Sequence, residues 1–173
     1  MTQASKIALA LTAAMLPLLP LSAQEADATE VVATPEDVRD DMTLLDRWNA
    51  DRTTFFDASE IDLSELQYVA RPLVVFADSP ADPLFVQQLE LLRARPEGLI
   101  ARDVILIVDA DPNVNSDARA ELRPRGFTLV LIGKDGRVAQ RKPAPFGVRE
   151  LERAIDKMPL RQQEVRDGRA LSE

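Results

Sequence analysis

The chain has 173 residues, with 21 Lys and Arg against 29 Asp and Glu, a formal net charge of −8, no histidine and no cysteine. Without cysteine it forms no disulfide, exchanges no thiol, reduces no peroxide through a thiol and carries no lipid on an N-terminal cysteine. A net acidic chain whose basic residues are not interleaved with aromatics is a poor nucleic-acid binder, so no nucleic-acid partner is expected.

Residues 1–23 have the pattern of an export signal. Lys6 supplies a short basic segment, Ile7 to Leu21 is an apolar run of 15 residues broken by Pro17 and Pro20, and Leu21-Ser22-Ala23 is a small-residue cleavage site. A membrane anchor is the alternative, but a spanning helix needs roughly 20 apolar residues. The expectation is a signal peptide over 1–23, a mature start at Gln24, and a periplasmic or secreted protein with no membrane span after removal. Cleavage leaves 150 residues with a formal charge of −9, enough for one domain without covalent staples.

Residues 24–41 hold seven acids (Glu25, Asp27, Glu30, Glu36, Asp37, Asp40 and Asp41) against Arg39, and read as an acidic flexible leader. The domain is expected over 42–159. Met42 to Asp51 suits a short helix with Leu44, Leu45 and Trp48 on one side. Thr53 to Asp57, with Phe55 and Phe56, is either a loop or a short outer strand. Asp62 is placed to cap a helix carrying Leu63, Leu66 and Val69, with Pro72 as its stop.

Leu73–Ala77 and Val104–Asp109 are near-continuous apolar runs, as in parallel strands covered on both faces. Between them, Phe85, Leu89 and Leu92 lie at helical spacing. Asp82 suits the N-cap and Pro83 the first helical position, while Pro96 and Gly98 mark the end. After the turn-rich stretch that follows Asp109, Ser116 is placed to cap a short helix with Ala118 and Leu122. Phe127–Ile132 reads as a third strand, Lys134-Asp135-Gly136-Arg137 as a hairpin turn, and Val138–Lys142 as an edge strand marked by Arg141, Lys142 and Pro143. Pro143 to Phe146 reads as a connector, the alternative being an extended recognition segment. Val148, Leu151, Ile155 and Met158 form the stripe of a last helix, and residues 160–173 read as a charged, frayed tail.

This order of β-α-β, short helix, β-hairpin and helix over residues 73–158 resembles a thioredoxin core. The resemblance implies an α/β, thioredoxin-like fold with a central mixed four-stranded sheet flanked by helices. In it, Pro80 and Pro83 stand where the redox cysteines would be, and Phe127 stands at the family's cis-proline. The stretches Arg71-Pro72-Leu73-Val74-Val75-Phe76, Val108-Asp109-Ala110-Asp111-Pro112, Arg125-Gly126-Phe127 and Ile155-Asp156-Lys157-Met158-Pro159-Leu160-Arg161 look like an uncharacterised bacterial family of small exported thioredoxin-like domains lacking the redox cysteines. No activity follows from that likeness.

Three functional readings remain. The first is a non-catalytic binding module that holds a protein or peptide partner at the former active-site crevice, formed by Asp78, Ser79, Pro80, Asp82, Arg125 and Phe127. It assigns no catalytic residue and implies no cofactor. The second is a thiol-independent enzyme using Asp78 or Asp82, although Asp82 already suits a cap and Ser79 lacks an evident base. The third is a calcium-stabilised domain. Asp109, Asp111, Asn113, Asn115 and Asp117 alternate like the start of a calcium loop, but Val114 stands at its glycine position and Ala120 at its bidentate glutamate. Separately, residues 119–142 hold seven basic side chains against two acids, so an anionic ligand could dock there, or the segment is a solvated surface.

Overall fold

The computed structural model describes residues 42–170; the expected signal segment, the acidic leader and residues 171–173 lie outside them. The elements in chain order are α1 (Leu44–Ala50), β1 (Phe55–Asp57), β2 (Arg71–Phe76), α2 (Pro83–Arg93), α3 (Glu97–Ile100), β3 (Val104–Asp109), α4 (Asp117–Leu122), β4 (Thr128–Ile132), β5 (Val138–Lys142), α5 (Val148–Asp156) and α6 (Pro159–Ala170). The strands form one mixed sheet in the order β1-β3-β2-β4-β5. β1 and β2 run parallel to β3, and β4 runs antiparallel to both β2 and β5. This is the thioredoxin-like arrangement with five strands rather than four. Phe55 to Asp57 pairs with Leu106 to Val108 and so is the outer strand, not a loop.

The alternation of side chains divides the core in two. Val74, Phe76, Ile105, Ile107, Val130 and Ile132 face one way, against Trp48 of α1 and Ala118 and Leu122 of α4. Leu73, Val75, Val104, Leu106, Leu129 and Leu131 face the other way, against Phe85 and Leu92 of α2, Leu99 of α3, and Leu151 and Ile155 of α5. All six residues of β2 are buried, which is why its sequence after Arg71 is apolar without alternation.

Local chemistry explains most element ends. Asp82 accepts from the Leu84 N–H at 2.8 Å, and Pro83 opens α2. Ser116 Oγ accepts from the Arg119 N–H at 3.1 Å and caps α4. Gly136, at φ 78°, closes the β4–β5 turn. The side-chain amide of Gln88, fully buried on α2, donates to Phe146 O at 3.1 Å and accepts from Phe146 N at 2.7 Å, fixing the connector before α5.

Four further expectations are corrected. The stretch after Asp62 is a single 3-10 turn, Leu63–Leu66, because Tyr68 enters the left-handed region at φ 62° and donates its N–H to Lys134 O at 2.7 Å. Pro72 lies inside β2. The Arg71 N–H donates to Asp103 O on the β3 side, and pairing with β4 begins only at Leu73, so the amide proton Pro72 lacks has no ladder partner to lose. Pro96 begins a further helical turn, α3, rather than only ending α2. Residues 160–170 belong to helix α6 rather than a frayed tail.

That helix is held by charge. Arg71 is fully buried at the start of β2; its guanidinium donates to Glu164 of α6 at 2.9 Å and to Arg102 O at 2.8 Å. Lys134 bridges Glu164 at 3.0 Å and Asp103 at 2.8 Å. Arg52 joins Asp103 at 3.0 Å, and Arg102 grips Asp156 through two hydrogen bonds. Burial pushes the Glu164 carboxyl up, but the hydrogen bonds from Lys134 and Arg71 outweigh it and hold the group below its ordinary range. Asp103 is likewise lowered by Lys134 and Arg52 against burial.

Candidate functional site

The C-terminal ends of β2 and β3 meet beneath the loop that leads into α2. Asp109 closes β3 and is buried, and an unpaired carboxylate there would be strongly unfavourable. Arg119 of α4 supplies the countercharge. Its Nη2 reaches Asp109 Oδ1 at 2.6 Å and its Nε donates to the same oxygen at 3.0 Å. Nη2 also donates to Ala77 O at 2.8 Å and Asp109 O at 3.1 Å. Ser116 Oγ donates to Asp109 Oδ2. One arginine therefore ties two strand ends to a helix, with its guanidinium carbon 5.6 Å from the centre of the Phe76 ring.

Above this plug the loop is open. Asp78, Ser79 and Pro80 are exposed. Asp78 lies 3.7 Å from Arg119 Nη1. Ser79 Oγ accepts from the Ala81 N–H at 3.2 Å, a turn contact, and Asp82 is occupied as the α2 cap. Gly126 comes close on the other side: a Cβ built on it would lie 3.8 Å from Asp78 Oδ2. Its φ of 55° favours glycine and lets the chain turn into β4. The fold thus brings the Asp78 loop and the Arg125-Gly126 segment close together.

Phe127 does not join that surface. It is 6% exposed and packs in the core with Phe85, Leu129 and Val148. Arg125 points outward. With Arg123, Thr128, Arg141 and Pro143 it lines an open hollow of about 400 Å³.

Of the alternating oxygen residues after β3, Asp109, Asp111 and Asn113 have structural partners. Both Asp109 oxygens are engaged as above, Asp111 accepts from Asn113 N at 2.9 Å, and Asn115 sits in the left-handed region at φ 49°. Among the described residues, no group of three or more acidic side chains is arranged to hold a metal ion.

Sequence reading missed the Arg119–Asp109 pair, although a charge ending a buried apolar run was a signal that a partner had to exist. It also missed Arg71–Glu164, whose members are 93 positions apart.

The architecture is that of a thioredoxin-like domain in which oxygen side chains and proline stand at the strand-end loop, with no thiol. The chain belongs to the family described as a domain of unknown function (DUF4174), which matches residues 62–164. No curated protein matches it. Among solved structures, it is similar to reduced desulfothioredoxin from Desulfovibrio vulgaris Hildenborough at 22% identity and a TM-score of 0.44, over 60% of this chain and 96% of that one. The mitochondrial 2-Cys peroxiredoxin from Plasmodium falciparum gives 18% and 0.42, over 56% and 79%. A yeast mitochondrial 1-Cys peroxiredoxin gives 18% and 0.42, over 61% and 97%.

Proposed function

We propose that this chain is an exported, non-redox binding module, and that the exposed loop Asp78-Ser79-Pro80 with the neighbouring Arg125 contacts a protein or peptide partner. The observation that carries this reading is the division of labour at the strand ends. The buried acid is sealed by Arg119 and the cap acid serves α2, while Asp78, Ser79, Pro80 and Arg125 remain on the surface. Ligands of open α/β sheets gather outside such strand ends. Export is supported by Lys6, the apolar run to Leu21 and the Leu21-Ser22-Ala23 site. No helix among the described residues is long and apolar enough to cross a membrane.

Two measurements test the reading. N-terminal sequencing of the exported protein is expected to begin at Gln24; an intact Met1 in a membrane fraction overturns the export half. Capture from periplasmic extract by residues 24–173 is expected to retain one dominant partner. The double variant Asp78→Ala, Arg125→Ala is expected to release it at unchanged melting temperature. Undiminished capture by that variant overturns the binding surface.

A further inference from the structure

We propose that the hollow bounded by Arg123, Arg125 and Arg141 is a binding site for a phosphoryl group, the doubly charged end of a larger ligand. The inference rests on reading this end of the sheet as a binding surface and specifies its chemistry.

The three arginines come from separate places. Arg123 ends α4 in the left-handed region at φ 46°, a conformation unfavourable for a long side chain, and its N–H still donates to Arg119 O at 2.9 Å. Arg125 follows two residues later, just before Gly126 turns the chain into β4. Arg141 sits opposite Val130 across the β4–β5 ladder. It therefore projects on the sheet face that carries Val130 and Thr128, toward the side occupied by α4. Together they line a hollow of about 400 Å³.

All three are exposed, and among the described residues none of them makes an ion pair. Arg71, Arg102 and Arg119 each meet a carboxylate, while among the described residues Arg93, Arg95, Arg137, Arg149 and Arg153 make no ion pair either; what sets Arg123, Arg125 and Arg141 apart is that the three line one hollow. Like charges gathered without a counter-ion repel, and an anion in the hollow relieves that repulsion.

The donor set selects the anion. A carboxylate brings two oxygens and a single negative charge, whereas a phosphoryl group brings three terminal oxygens and a charge near −2. Three forked, positively charged donors around one hollow match the second more closely in charge and in oxygen count. No aromatic side chain lines the hollow, so it offers no platform for a nucleobase. The shared chemistry is a phosphate monoester, either on a soluble molecule or on a lipid headgroup.

The test uses 15N-labelled mature protein, residues 24–173, titrated with inorganic phosphate and separately with acetate at matched ionic strength. Sedimentation with phosphatidylcholine vesicles, with and without phosphatidic acid, distinguishes the two sources. Phosphate is expected to shift the Gly126 and Thr128 amides and the arginine Nε–H signals saturably, with acetate about tenfold weaker. Arg123→Ala with Arg141→Ala is expected to weaken phosphate binding about tenfold or more, while Arg153→Ala, an exposed arginine on α5, leaves it unchanged. Cosedimentation that depends on phosphatidic acid and on these arginines supports the site and assigns a lipid. Saturable binding without cosedimentation supports it and assigns a soluble ester. Non-saturable shifts, acetate equal to phosphate, or binding that survives the double variant overturns the proposal. Partner capture that persists when phosphate binding fails leaves the module reading standing, so the two failures are separable.

Discussion

Asp109 and Arg119 show how a single pair organises this end of the sheet. The carboxylate is 5% exposed and the arginine side chain 13%, so removing either one leaves a desolvated charge. Arg119→Ala is expected to cost roughly 3–5 kcal/mol in urea unfolding, because it strands Asp109. The double variant Arg119→Met, Asp109→Asn is expected to recover part of that loss. A single variant no less stable than the parent would contradict the pairing. Phe127 gives the second residue-scale prediction. Packed between α2 and α5, it should cost roughly 3–5 kcal/mol as Phe127→Ala, with partner capture per folded molecule unchanged. A small loss accompanied by lost capture would return Phe127 to the surface. The sequence placed it there because the thioredoxin likeness aligned it with a peptide-holding proline, while its strand-start position was equally that of a core aromatic.

Among the elements, α6 depends most on distant partners. Its charged sequence carries no clear apolar stripe, and frayed tail was the natural reading. Three cations supplied by other segments and by the helix itself, Arg71, Lys134 and Arg161, converge on Glu164 and hold the helix in place. Glu164→Ala is therefore expected to lower stability by about 1–3 kcal/mol, since Arg71 loses its acidic partner while staying buried. Amide exchange should quicken across α6 and at the start of β2, and unchanged exchange at both would count against the latch. By contrast, α2, α4 and α5 were legible in advance. Each has its cap or its apolar positions within one continuous stretch, and local hydrogen bonds such as Asp82 to Leu84 need no distant partner.

On the scale of the whole molecule, the charged network at the base of the sheet predicts acid sensitivity. Burial raises Glu164 and Asp103, but their cationic partners win and hold both below the ordinary carboxylate range; Asp156 is lowered chiefly by its hydrogen bond from Arg102. A carboxylate whose pKa is lower folded than unfolded adds stability above its unfolded value, about 4, and loses it as pH falls through the folded value. Unfolding free energy is thus expected to be flat near neutrality and to fall below about pH 4. Glu164→Gln is expected to shallow that fall. Urea melts between pH 7 and pH 3 measure both, and parallel acid limbs for parent and variant would contradict the assignment.

The chain's own order of residues determined the α/β class, the strands and most helices, and the absence of thiol chemistry, because apolar runs, caps and composition are local properties that need no knowledge of what lies opposite. Through the likeness of its order to a thioredoxin core it also suggested Asp78, Ser79, Pro80 and Arg125 as one surface, a proposal that the capture experiment tests. Tertiary structure alone decided the rest. Phe55–Phe56 became a fifth strand only because β3 had an open edge, Phe127 went to the core, and Asp109, read as a possible calcium ligand, was neutralised by an arginine ten residues away. The same holds for Arg71 and Glu164, and for the meeting of Arg123, Arg125 and Arg141 around one hollow. A charge's partner, unlike a helix's period, is set by which segments the sheet places side by side, and that ordering is not written in the spacing of residues along the chain.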